Sequence, residues 1–320
     1  MAYTTTNKLT YAPVRTFEEA KAKVDSIMAT HQTLEVDGFS PRLADVESYS
    51  DFGLESMGRM VDFPANWIRR LNEYNPMLAK NNISTQIQHH FEEGDQNFFV
   101  REFNGKICGA VSNRYAFFDD DQVMDIIDGS ELTGMQYRHC IITPERLHLR
   151  AIDMDNTFKI PGDDSDLCFA YFIDNSMVGL SSFKVQLGIF RLLCTNGLIA
   201  PVRECVICKM VHRGTKDIAA EFNESIKLLN GKKEAFLESI KEMTSKESVL
   251  ERMEEEMKLD YLSKKLNLSQ KGSKAVYDLY RDVYGGQTKW ALTNAITQYA
   301  RDVNSIEMRT SLERRALIVA

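Results

Sequence analysis

Apolar positions change their spacing twice along this chain of 320 residues. Thr16-Phe17-Glu18-Glu19 reads as a capping box that opens a helix through about Ala29. Pro64 sits where a first helical turn accepts it, ahead of Trp67-Ile68-Arg69-Arg70-Leu71. Residues 1–96 therefore read as a helical arm or lid. From Asn97 the period shortens to two. Phe98 to Phe103 and Lys106 to Val111 flank Asn104-Gly105, two residues that tolerate positive φ, which predicts a hairpin with a type I′ turn. Further strands are predicted at Tyr137–Thr143, Arg146–Met154, Leu167–Asp174 and Cys205–His212, with a second hairpin turning at Pro144-Glu145.

The stretch around residue 190 fits two periods. Phe183, Val185, Leu187 and Ile189 alternate with Ser182, Lys184, Gln186 and Gly188, yet Phe183, Leu187 and Phe190 also suit one face of a helix. The longer alternation favours a strand. After Arg213 the spacing of Ile218, Phe222, Ile226 and Leu229 is helical, charged helices continue through Met257, and no proline follows Pro201. Hairpin signals cluster and do not alternate with helices. The expected fold is thus α+β: a mostly antiparallel sheet in the middle of the chain, a helical N-terminal arm and an all-helical C-terminal third. Residues 97–213 form the strand-rich core, and 214–320 pack back on it as part of the same domain.

An arginine interrupts the apolar run at Phe190-Arg191-Leu192-Leu193-Cys194-Thr195-Asn196-Gly197. It must reach the surface or find an acceptor. Gly109-Ala110-Val111-Ser112-Asn113-Arg114-Tyr115, Asn175-Ser176 with Gly179 and Ser181-Ser182, and Thr288-Lys289-Trp290 through Asn294 to Tyr299 are equally distinctive. Together these four segments resemble the phage- and plasmid-type family known as domain of unknown function 932. Gly197 and Arg301-Asp302 depart from that pattern, the latter standing where the family carries Asp-His. The resemblance implies a lineage of mobile elements and no established activity.

Six cysteines scattered through apolar segments read as reduced, buried thiols. The N-terminus lacks the basic and apolar regions of a secretory signal, and no apolar run has the length a bilayer needs. The expectation is a cytoplasmic protein of a bacterial host, without membrane contact. The net charge of −7 is uneven: residues 201–320 carry 21 basic against 18 acidic side chains, and residues 261–320 carry 10 against 5. That gradient permits a nucleic-acid face at the C-terminal end, although charged residues commonly do no more than solvate helices.

The common nucleotide and hydrolase motifs are missing: no phosphate loop, no dinucleotide turn, no nucleophile elbow and no His-Glu-x-x-His. No cofactor is expected. Asp153, Asp155 and Asp174 are the carboxylates that could gather a metal for nucleic-acid chemistry, whereas Asp163-Asp164-Ser165-Asp166 after Pro161-Gly162 reads as a solvated turn. Cys194, Cys205, Cys208 and His212 have the ligand types zinc accepts. Residues three apart on a strand point to opposite faces, so buried thiols are the better reading there.

Arg114, Tyr115, Lys184, Arg191, Asn196, Arg213, Lys289, Trp290 and Asn294 combine cations, amides and rings, the mixture that suits single-stranded nucleic acid. The competing reading makes Tyr115 and Trp290 core residues and joins Arg191 to Asn294 in a buried network. Three functions follow in order: a non-enzymatic protein that binds or anneals single strands, assembling into a homo-oligomer; a metal-dependent nucleic-acid enzyme using Asp153 and Asp155; and a viral structural protein that engages a host protein.

Overall fold

The computed structural model describes residues 14–94, 97–191, 196–199, 206–210, 218–303 and 305–320. Helix α1 (Phe17–Met28) starts where its cap predicts, with Thr16 Oγ1 accepting from the Glu19 N–H. The Glu19 carboxylate reaches back one residue further, to the Arg15 N–H at 2.7 Å. Strand β1 (His31–Val36) follows, then helices α2 (Asp51–Met60), α3 (Ala65–Tyr74) and α4 (Pro76–Glu92). The Asn104-Gly105 hairpin joins β2 (Phe98–Phe103) to β3 (Lys106–Ser112), and both turn residues have positive φ as a type I′ turn requires. β1, β2 and β3 form a three-stranded antiparallel sheet. One face packs against α2, α3 and α4 around Leu54, Met57, Ile68, Ile83 and Ile87.

Helix α5 (Asp120–Asp128) leads into the larger sheet. Its strands are β4 (Gln136–Tyr137), β5 (Ile141–Ile142), β6 (Leu147–Ile160), β7 (Asp163–Asn175), β8 (Phe183–Arg191), β9 (Asn196–Ile199) and β10 (Val206–Met210). The order is β10-β8-β7-β6-β4, with β5 and β9 completing the edges beside β6 and β8, and every pairing is antiparallel. The strand predicted over Tyr137–Thr143 is two short pieces, because His139 takes a positive φ between them. The stretch around residue 190 is a strand. β6 and β7 run longer than the alternation predicts and turn at Pro161-Gly162, so the acidic run after it starts a strand and is no mere solvated turn.

Period-two alternation splits this sheet into two unlike faces. Leu149, Ala151, Phe169, Tyr171, Val185 and Leu187 lie on one face, in the main core with Phe222, Ile226 and Leu229 of helix α6 (Ile218–Ser245). Helices α7 (Glu255–Leu266), α8 (Gln270–Asp278), α9 (Lys289–Arg301) and α10 (Ile306–Val319) complete the C-terminal third and contribute Leu262, Val276, Ile296 and Leu312 to that core. The opposite face carries His148, Arg150, Asp174 and Gln186, all buried, beside a small apolar group of Ile152, Ala170, Phe172 and Phe190. No helix among the described residues is long and apolar enough to cross a membrane.

Candidate functional site

The four distinctive segments meet in two places. The first is a closed polar knot where β8 ends. Arg191 donates to Ser165 Oγ at 2.8 Å, to Asn294 Oδ1 at 2.8 Å and to Asp163 Oδ2. Trp290 Nε1 donates to the same Asp163 oxygen at 2.9 Å, and the guanidinium lies 6.0 Å from the indole centroid. Asp163 remains ionised here: burial opposes the charge, but the Arg191 guanidinium and the Ser165 and Trp290 donors hold its pKa below the usual carboxylate range. Arg191, Trp290 and Asn294, expected to bind nucleic acid or else to form a buried network, form the network. Both Asp163 oxygens, the Ser165 hydroxyl, the Asn294 amide oxygen and the Trp290 N–H have internal partners.

A second buried network lies on the other face of the sheet. Arg150 Nε donates to His148 Nε2 at 3.1 Å, which leaves the proton on Nδ1 for Asp174 Oδ1 at 2.6 Å. Burial lowers the His148 pKa, so the ring is neutral. Asp174 also accepts from Arg314 at 2.6 Å and faces Lys184 across the β7–β8 ladder; its pKa falls far below normal, the opposing effect of burial outweighed by His148 and Arg314. Arg150 makes a two-pronged pair with Glu313 at 3.2 and 2.8 Å, and Arg309 donates to that carboxylate too. A histidine and an aspartate in contact suggest a general base, but the Nε2 lone pair is already taken by Arg150. The network locks α10 onto the sheet.

The open site is a cleft of about 370 Å³ at the other end of β8. Its walls are the end of β3, the C-terminal turn of α2 and the loop from Ser176 to Ser182 that joins β7 to β8. Gly109 lets the loop approach: a Cβ there would sit 2.5 Å from the Val178 Cβ. Gly179 turns the loop with φ +77. Ser176 accepts from the Leu180 N–H and donates to the Glu145 carbonyl, while the Tyr115 hydroxyl donates to the Ser176 carbonyl at 2.9 Å. Arg59, Arg114, Ser112, Ser181 and Ser182 line the space. Among the described residues neither guanidinium has a carboxylate partner, Arg59 resting over the Phe52 ring at 5.2 Å. Ser181 Oγ is buried and has no hydrogen-bond partner there. Phe117 and Leu180, large apolar side chains flanking the loop and strand, remain exposed.

The remaining candidates scatter. Lys289 occupies the first turn of α9, with its N–H bonded to the Lys246 carbonyl. Asp153 pairs with Asn156 and Lys233. Asp174 faces His148, five residues along β6 from Asp153, a span of about 16 Å at strand rise. Among the described residues no three His, Cys, Asp or Glu side chains converge as a metal ion requires, and Asp155 joins no such group. Cys194, Cys205, His212 and Arg213 lie outside the described residues, and Asn196 and Cys208 are described through their backbone alone. Cys108, Cys140 and Cys168 are free thiols outside any disulfide, and burial pushes their pKa up to about 12, 11 and 12. Sequence reasoning missed Arg59, which no motif marks, and placed Asp163 in a solvated turn. It also missed Arg150, although an arginine inside an apolar strand was the signal that drew attention to Arg191.

The family model described as a domain of unknown function, DUF932, matches residues 108–317. The chain belongs to this family. No curated protein and no solved structure matches. The matched span begins inside β3 and ends in α10, so it includes both networks and the loop wall of the cleft. Arg59, on the facing wall, lies before it.

Proposed function

We propose that this DUF932 protein is a non-enzymatic nucleic-acid-binding protein that holds the phosphates of a single strand in the cleft between α2, β3 and the Ser176–Ser182 loop. One observation carries the reading: two guanidiniums, Arg59 and Arg114, face the same cleft without a carboxylate partner among the described residues. An unpaired guanidinium beside serine hydroxyls is suited to phosphate oxygens, which it can engage with two parallel N–H donors. Phe117 is exposed, meets the cleft-lining Tyr115 at 5.6 Å and offers an edge against which a base can pack. The role that fits is binding or annealing of single-stranded DNA in the metabolism of a mobile element, in the cytoplasm of a bacterial host.

Fluorescence anisotropy of a labelled single-stranded oligonucleotide at two salt concentrations tests this, with duplex as comparison. Arg59→Ala and Arg114→Ala should each weaken binding about tenfold at low salt and reduce the salt slope by about one. Failure of the parent to bind at low salt, or unchanged binding by the double variant, would overturn the reading.

A further inference from the structure

The small sheet ends on β1, which pairs with β2 and with no other strand among the described residues. A strand packed on a core alternates buried and exposed positions. β1 does not: Gln32, Thr33, Leu34 and Glu35 are all exposed, and among the described residues no strand pairs with its outer edge. The register with β2 is unbroken over six residue pairs from His31 to Val36. The strand contains no proline, no lysine and no bulge against β2, and Glu35 is its one acidic side chain.

The ladder fixes which backbone groups face outward. The Asn104 N–H donates to the Thr30 carbonyl. Antiparallel pairs alternate between bonded and non-bonded, so Gln32, Leu34 and Val36 direct their backbone groups to β2 while His31, Thr33 and Glu35 direct theirs to the free edge. Two copies of this strand laid antiparallel can use all of these outward groups in a single register, the one centred on Thr33. That register sets Thr33 against Thr33 and His31 of one protomer against Glu35 of its partner at both ends. An imidazole then faces a carboxylate and no like charges oppose each other, a favourable cross-strand pattern.

We infer that β1 is a self-association edge, through which two copies of this chain join their small sheets into one continuous antiparallel sheet. The inference is independent of nucleic-acid binding, since β1 contributes nothing to the cleft. A contact of a few residues is small by interface standards, so the dimer is weak, in the micromolar range or above.

Sedimentation velocity of the full chain over a wide concentration range tests the edge. The parent should dimerise, and Glu35→Pro should be monomeric, because it removes an outward donor while sparing the ladder to β2 and the hydrogen bond from Arg101 to Thr33. The register has its own test. Hydrogen-bonded antiparallel pairs place Cα atoms about 5.5 Å apart, within disulfide reach. Oxidised Thr33→Cys should therefore cross-link two chains through position 33 above the background of the parent's own cysteines, and Gln32→Cys should not. The cross-link decides the matter if circular dichroism finds Glu35→Pro unfolded. A parent that stays monomeric at every concentration overturns the proposal, as does a dimer that survives Glu35→Pro and gives no cross-link at position 33. Capture of β1 by another protein's strand, or by residues 1–13 of the same chain, would appear as the monomeric outcome.

Discussion

Arg191 and Arg114 stand in equally distinctive segments, Arg191 closing β8 and Arg114 following β3 in the cleft at the other end of β8, yet the fold uses them differently. Arg191 meets a carboxylate, an amide oxygen, a hydroxyl and an indole, and its charge is neutralised inside the protein. Arg114 reaches a cleft where no carboxylate among the described residues waits for it. The residue type is the same. What differs is the acceptors in reach, and these are supplied by Asp163 and Asn294, 28 and 103 residues away from Arg191 in sequence. A cation in a motif is thus evidence of a requirement, and its surroundings decide whether that requirement is folding or binding.

The sharpest way to break this comparison is to remove each arginine in turn. Arg191→Ala strips a buried carboxylate of its charged partner and should cost about 3 kcal/mol or more in urea unfolding. Arg114→Ala, on the surface, should stay within about 0.5 kcal/mol of the parent while weakening oligonucleotide binding. Equal destabilisation by the two would collapse the distinction.

Gly109→Ala tests the cleft wall with a smaller expected effect. The new methyl would press on Val178, so the loop must shift, at a cost of roughly 1–3 kcal/mol, and binding should fall with stability. An unaltered melting temperature would mean that the loop yields freely and does not define the cleft.

Beneath that loop lies a pH-sensitive support. Asp120 is fully buried at the start of α5, and Asn175 donates to it at 2.8 Å and to the Phe118 carbonyl at 3.0 Å. Burial raises the Asp120 pKa to about 7, well above the value near 4 of the unfolded chain. The folded state therefore holds a proton that the unfolded state releases. This contribution is fully present below about pH 4 and is lost as pH rises through about 7. Asp120→Asn should flatten the stability profile across that window, by on the order of a kcal/mol, in thermal melts at pH 5 and pH 8. A parent and variant that respond alike to pH would remove Asp120 as the titrating group.

Local signals made much of the fold legible. Asn104-Gly105 specified its hairpin because few residue pairs accept two positive φ values, and Thr16 specified the start of α1 through a cap made within one turn. The alternation over Phe183–Ile189 outweighed a helical fit because a strand needs only its own period to bury one face. β1 escaped notice for the opposite reason: with exposed positions on both faces, it carries no alternation to read.

The candidate site was legible in part. Two of its walls are marked by glycines and serines in distinctive segments, but Arg59 belongs to an ordinary helix turn and enters the cleft only because Gly53 and Ser56 bring α2 against β3. A Cβ at Gly53 would strike the Ile107 carbonyl oxygen, and Ser56 bonds the Ala110 backbone in both directions.

By itself the sequence determined the Asn104-Gly105 hairpin, the antiparallel character of the central sheet, the helical C-terminal third and the residue types that any site would draw on. These depend on spacing, capping and turn chemistry, which act over a few residues. Only the tertiary structure decided which arginine is spent and which is open, that Arg150 pairs with Glu313 across 163 residues, and that the Asp163 carboxylate belongs to a buried knot and not to a turn. An ion pair needs its partner within a few ångströms, and no local pattern records which distant residue the chain will bring there.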